Sequence, residues 1–353
     1  MSLYDNNEYQ TLLYALLRVA LNTSEEIPQE VSALSAFHYE DWIHLISVAR
    51  QQTVLGLVYD ALSSLSDILP LDIPNTIGSA LMIETDAIVR NNKTVSLLAE
   101  RVLNILKEHD LPAIVMKGPV VGAFYPHPDF RSPGDLDIYC PMGQPFRVLS
   151  LLQRNFDPNN NEKIHYIKAD DSWHCKIYGV DIDLHRHYFD FEMQGMSYPT
   201  IPSPNATLLM LSSHILKHAI GPGVGLRQIC DMAMAYKALS GQYDWTELHG
   251  VFQSHGLHKW DLLLCSFIKL RLGVAPQRRD FLDMDISPLE KIVFSGGNFG
   301  HFNPSRTLAL SRNEKCRKKD TLSRFIGKMP FALKYAPKQY CNYISSLFKG
   351  NLK

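Results

Sequence analysis

Asp135 and Asp137 stand two residues apart in Ser132-Pro133-Gly134-Asp135-Leu136-Asp137-Ile138-Tyr139. On a strand, side chains at i and i+2 point to the same side, roughly 6.5–7 Å apart. Both carboxylates therefore face one way, while Leu136 and Ile138 enter a core. Two acids at that separation can share one or two divalent cations (Mg²⁺ or Mn²⁺), which bridge phosphate oxygens and neutralise charge developing in a transfer. A third carboxylate on a neighbouring strand would complete such a site, by binding a second metal or accepting a proton from an attacking hydroxyl. The segment Val180-Asp181-Ile182-Asp183-Leu184-His185 offers it. Asp183 is the stronger candidate, and Asp181, beside the Gly179 turn, is expected in solvent. Taken by itself the Asp-x-Asp pair could equally be two exposed strand-edge acids. The glycine turn before it and the acidic strand after it favour metal.

That turn is Lys117-Gly118-Pro119. Gly118 suits a backbone that must approach phosphate closely, and a helix beginning near Pro119 would aim its first amides at an anion. Lys117 can add a point charge, and Arg131 a bidentate grip on phosphate. His185 shares the strand face of Asp183 and reads as a neighbour of the metal or a phosphate contact. His185 with His187, and His214 with His218, have spacings that zinc could use, but no cysteine stands at a suitable offset. His214 and His218 are either core residues or cleft-lining ones. Arg227 and Asp231, at i and i+4, suggest a structural pair on a helix.

The elements that must position these residues follow from periodicity. Leu12, Leu13, Leu16, Leu17 and Ala20 fall at helical spacing, as do Trp42, Leu45, Ile46 and Ala49, with Asp41 as N-terminal cap. A long helical stretch resumes after Pro70 and Pro74 and runs to Lys107. Ala113-Ile114-Val115-Met116 then reads as a strand, Leu136 to Tyr139 as a second, and Gln144 to Asn155 as a helix. Lys163 to Ile167 and Trp173 to Ile177 form a hairpin across Ala169-Asp170-Asp171-Ser172, and Val180 to His185 is the last strand. This β-α-β-α-β-β-β order implies a small mixed sheet. Helical texture returns from Asn205 to about Leu272, broken at Gly221-Pro222-Gly223. Four regions result: a helical 1–110, an α/β core over 111–200, a helical region over 201–280 that closes the cleft, and a basic tail over 281–353.

With 353 residues, 46% apolar and 20% charged, the chain can bury a sizeable core and is not globally disordered. The net charge of −1 argues against a long nucleic-acid substrate. Six cysteines without a CxxC pair point to a reducing compartment, and the first ten residues do not resemble a signal peptide, so a cytoplasmic location is expected. Residues 312–353 hold eleven Lys or Arg against two acids, with Leu322, Phe325, Ile326 and Met329 as an apolar stripe. Such a tail could touch anionic lipid or nucleic acid, or pack on its own domain.

These residues resemble a known pattern. A glycine turn, a helix, a strand with Asp-x-Asp and a later strand with an acid are similar to the DNA polymerase beta-like nucleotidyltransferase superfamily. Met116-Lys117-Gly118, Tyr125-Pro126, Arg131, Asp135-Leu136-Asp137 and Ile182-Asp183-Leu184-His185 resemble more closely its uncharacterised bacterial nucleotidyltransferase family, whose members often accompany polysaccharide-biosynthesis genes. The resemblance spans roughly 35–275. It implies an α+β fold: a palm-like mixed sheet flanked by N- and C-terminal helical regions. It also implies Mg²⁺-dependent transfer of a nucleoside monophosphate from NTP, ATP among the candidates, to an acceptor such as a sugar or small molecule. By that likeness Asp135, Asp137 and Asp183 would be catalytic metal ligands and Gly118 part of the phosphate loop. Pro119 departs from the usual Gly-Ser or Gly-Gly, since it has neither hydroxyl nor amide proton, and the fifteen residues between Pro119 and Asp135 exceed the usual spacing. Lys117 and Arg131 would then supply what the serine does elsewhere. Two other function classes fit the same residues: a non-catalytic nucleotide- or partner-binding module, and a metal-dependent phosphohydrolase using His185 or His187.

Overall fold

Alternation of side chains dictates the sheet. In a computed structural model of the chain, which describes residues 6–141, 145–156, 165–167, 172–191, 202–278, 284–295, 297, 323 and 325–346, five strands line up in the order β1-β2-β5-β4-β3. They are β1 (Ile114–Val115), β2 (Leu136–Tyr139), β3 (His165–Ile167), β4 (Ser172–Ile177) and β5 (Val180–His185). Only β2 and β5 run parallel; the other neighbours are antiparallel. The sheet is therefore mixed, as expected. Ser172 belongs to β4 rather than to the hairpin turn, and the rest of that turn lies outside the described residues.

Leu136 and Ile138 of β2 and Ile182 and Leu184 of β5 enter one apolar cluster. Its other wall comes from two helices, α4 (Asn75–Glu108) through Val95, Leu98, Val102 and Leu106, and α6 (Pro145–Phe156) through Val148, Leu149 and Leu152. The period-2 pleat sends Asp137, Asp183 and His185 to the opposite face. The short helix α5 (Gly118–Gly122) links β1 toward β2.

Before the sheet, α1 (Asn6–Ala20), α2 (Tyr39–Gln51), α3 (Leu55–Leu65) and α4 make up the helical N-terminal region; after it come α7 (Pro204–Ile220), α8 (Leu226–Ala238), α9 (Trp245–Ser254), α10 (His258–Leu272) and α11 (Ser287–Phe294). Residues of both helical regions share a second, larger core with Trp42, Phe252, Trp260 and Phe267 deep inside. Asp41 is not the cap residue of α2. It sits one turn inside the helix and accepts from the His38 amide at 2.9 Å and from the Tyr9 hydroxyl at 2.6 Å. Asp244 does cap α9, accepting from the amides of Thr246 and Glu247.

Two further helices, α12 (Met329–Tyr335) and α13 (Pro337–Ser346), lie near the C-terminus; the first buries Ala332 and Tyr335, and Tyr340 of the second is buried with Phe325. Of the apolar stripe read in the tail, Phe325 is thus core, Ile326 and Met329 are exposed, and Leu322 lies outside the described residues. No described helix is long and apolar enough to cross a membrane.

Candidate metal and nucleotide site

Asp137 and Asp183 are register partners on the parallel pair β2–β5, with His185 two residues further on. One ligand atom from each of Asp137, Asp183 and His185 falls within 4.8 Å of the others, the arrangement a cation would need. Asp135 stands just before β2, is exposed, and is not part of that trio.

The turn that delivers Lys117 is unusual. Lys117 has φ 42° and Gly118 φ 33°, two successive residues in the left-handed region. For lysine this backbone is disfavoured, a form of strain that persists only where the surroundings impose it. At Gly118 the requirement is conformational and not steric, because a Cβ there would meet only the Asp135 carbonyl oxygen at 3.5 Å. The chain thereby reverses out of β1, and the Lys117 carbonyl accepts from the Val120 amide at 2.9 Å. Its side chain returns over the sheet, where Nζ donates to Asp137 Oδ1 at 2.9 Å. His185 Nε2 lies 2.8 Å from that same oxygen. Both donors use Oδ1, and Oδ2 has no hydrogen bond among the described residues.

These contacts set the charges. Burial works against an Asp137 carboxylate, yet Lys117 and then His185 hold its pKa well below the usual range. Burial likewise opposes the Lys117 charge, but Asp137, Asp190 and Asp135 together keep its pKa raised. Asp135 goes the other way. Repulsion from Asp137 pushes it up to about 6 despite Lys117. A pair of nearby acids with opposed pKa shifts is the electrostatic signature of a site built for a cation or a proton.

Around this centre, three residues that were not singled out as site residues take part. His174 is the register partner of Asp183 on β4, with its Nδ1 against Asp183 Oδ1 and its Nε2 3.0 Å from Ser172 Oγ. Asp190, just after β5, accepts from Lys217 Nζ and pairs with His214 Nδ1, both at 2.9 Å. Lys217 and His214 hold its pKa well below the usual range against burial. His214 in turn meets the ring of His218 edge-on at 4.4 Å, and burial, then the charge of Lys117, lowers its pKa. His218 is thus a core residue of α7, and His214 is half-buried beside Asp190. The third is Arg227, on α8, which donates to the Ser132 carbonyl at 3.2 Å. Asp181, by contrast, is exposed and reaches only Lys176, at 3.3 Å, and His187 is exposed as well.

Arg131 is engaged within the fold. Its bidentate grip is spent on Asp231 of α8, through Nε at 2.6 Å and Nη2 at 2.8 Å, with the Tyr125 hydroxyl on the same carboxylate at 2.7 Å. All three groups are buried. A guanidinium so engaged is a clamp between the loop before β2 and α8. For the same reason Arg227 and Asp231 do not form the i, i+4 pair that their spacing suggests: Asp231 is already taken.

The residues at hand suit a divalent cation, since oxygen and imidazole donors converge and Asp137 keeps one oxygen without a donor among the described residues. Comparison with curated proteins and with solved structures gives no match. A family model described as "uncharacterised nucleotidyltransferase" matches residues 38–273, most of the chain and every residue of the site. The chain belongs to that uncharacterised nucleotidyltransferase family.

Proposed function

We propose that the chain is a metal-dependent nucleotidyltransferase that moves a nucleoside monophosphate from an NTP to an acceptor hydroxyl or phosphate, releasing pyrophosphate. The observation that carries this reading is the side-by-side placement of Asp137 and Asp183 on parallel strands with His185 completing the trio. Asp137, Asp183 and His185 would hold the ion, with Asp135 at its edge, and a bound Mg²⁺ or Mn²⁺ supplies electrostatic stabilisation of phosphate oxygens during transfer.

In this reading the acceptor oxygen forms a bond to the α-phosphorus as the bond to the departing pyrophosphate breaks. The acceptor proton has a carboxylate destination in Asp183, which His174 orients from the next strand. Lys117 holds Asp137 ionised. The acceptor class that fits an almost neutral chain is a sugar or other small molecule.

The test is incubation with each labelled NTP and Mg²⁺ beside candidate acceptors, repeated with Asp137→Asn and Asp183→Asn. Pyrophosphate release and label transfer by the unaltered chain only support the reading. Tight NTP binding with no turnover across a broad acceptor screen would instead indicate a binding module.

A further inference from the structure

A triphosphate brings several negative charges, and most cations near the carboxylates are already committed. Lys117 is on Asp137, Arg131 on Asp231, and Pro119 has no amide proton. Arg227 differs. It is nine-tenths buried, yet among the described residues it makes no ion pair, and its one side-chain hydrogen bond is from Nη1 to the Ser132 carbonyl. Its Nε is buried without any partner. Guanidinium carries several donors in a planar fork that matches a phosphate or carboxylate edge. Burying that charge with one neutral acceptor is costly, and Arg131 close by repels it further. Such an arrangement is expected where an anion arrives to complete it.

Its position sets where an anion would meet it. The guanidinium lies over Gly134, where a Cβ would come within 3.1 Å of Nη1 and 3.6 Å of Nη2, a tight approach that the missing side chain of residue 134 leaves room for. The next residue is Asp135, whose charge Arg227 feels directly. The fork therefore sits at the Asp135 end of the acid cluster.

Resting on the nucleotidyltransferase reading, we propose that Arg227 binds the β- and γ-phosphates of the nucleotide, the part that leaves as pyrophosphate. The measurement is calorimetric affinity, in the presence of Mn²⁺, for NTP, for NMP and for inorganic pyrophosphate, using the full chain, Arg227→Gln and Arg227→Lys. Mn²⁺ binding followed by electron paramagnetic resonance reports that the acid cluster is intact. Arg227→Gln should weaken NTP and pyrophosphate about 10–100-fold, the range for losing a charge-assisted bidentate contact, with NMP changing less than about threefold and Mn²⁺ unaffected. Arg227→Lys keeps the charge without the fork and should lie between; if the glutamine variant does not fold, this one decides. Unchanged NTP affinity with normal Mn²⁺ binding overturns the assignment while leaving the enzyme reading in place. So does an equal loss for NTP and NMP. If the unaltered chain binds Mn²⁺ but neither NTP nor pyrophosphate, the enzyme reading fails and the assignment falls with it.

Discussion

Asp137 and Asp183 face each other across the single parallel seam of the sheet, in direct register. Direct register is what keeps both carboxylates on one face at one height, because residues paired across neighbouring strands point to the same side of the sheet. The two acids should therefore act as one cation site. Replacing either by asparagine is expected to abolish high-affinity Mn²⁺ binding, measured by titration calorimetry, with the circular dichroism spectrum preserved. Independent sites, each losing half of the bound metal, would contradict this.

Asp135 should give the metal-free protein a recognisable pH dependence. Its folded pKa of about 6 lies above the ordinary carboxylate value of 3.8, so the folded chain binds its proton more tightly than the unfolded chain does. Stability then falls as pH rises from about 4 to 6 and carries the full penalty above 6. Melting temperature followed across that window should show the decline, and Asp135→Asn should flatten it. Asp137 has the opposite sign: its depressed pKa adds stability that is lost only in strong acid. An Asp135→Asn protein with the same slope as the parent would count against this assignment.

The clamp between Arg131 and Asp231 should be worth far more to folding than to binding. Asp231→Ala leaves a buried guanidinium with no carboxylate, a loss of about 3–5 kcal/mol by urea denaturation. Tyr125→Phe removes one hydrogen bond to the same charged group, about 1.5–3 kcal/mol. A loss below 1 kcal/mol for Asp231→Ala would mean the pair is solvated in solution.

Two glycines near the site should respond differently to alanine. At Gly56 a Cβ would lie 2.3 Å from the Phe130 carbonyl oxygen, a backbone atom that cannot step aside cheaply. Gly56→Ala should cost about 3 kcal/mol and disturb the loop leading to Arg131. At Gly118 there is room, so Gly118→Ala should cost only the left-handed backbone penalty, about 1–2 kcal/mol. Thermal denaturation of the two variants distinguishes a clash from a conformational preference.

Much of this was readable in the residues. The bounds of β2 and β5 and the face carrying Asp137, Asp183 and His185 follow from period-2 alternation, a local property. His174 was readable in principle. Tyr178 and Gly179 both have positive φ and make a two-residue turn, and Ile177 pairs with Val180. Counting back from that turn puts His174 opposite Asp183. The fate of Arg131 was not readable. Helical spacing offers Asp231 to Arg227, and nothing local reveals that an arginine a hundred residues earlier in the chain wins that carboxylate. The same competition leaves Arg227 without the i, i+4 partner its spacing suggests. Asp41 was displaced by one turn because an acid can cap a helix from within as well as from its first position.

The ammonium of Lys117, resting on an oxygen of Asp137, gives the acid cluster a built-in counter-charge. A divalent ion arriving there would therefore enter by exchange rather than by simple addition: it would have to outcompete a tethered monovalent cation held at fixed local concentration. Metal affinity would then be a property of the lysine turn, with its positive-φ backbone at Lys117 and Gly118, as much as of the acids.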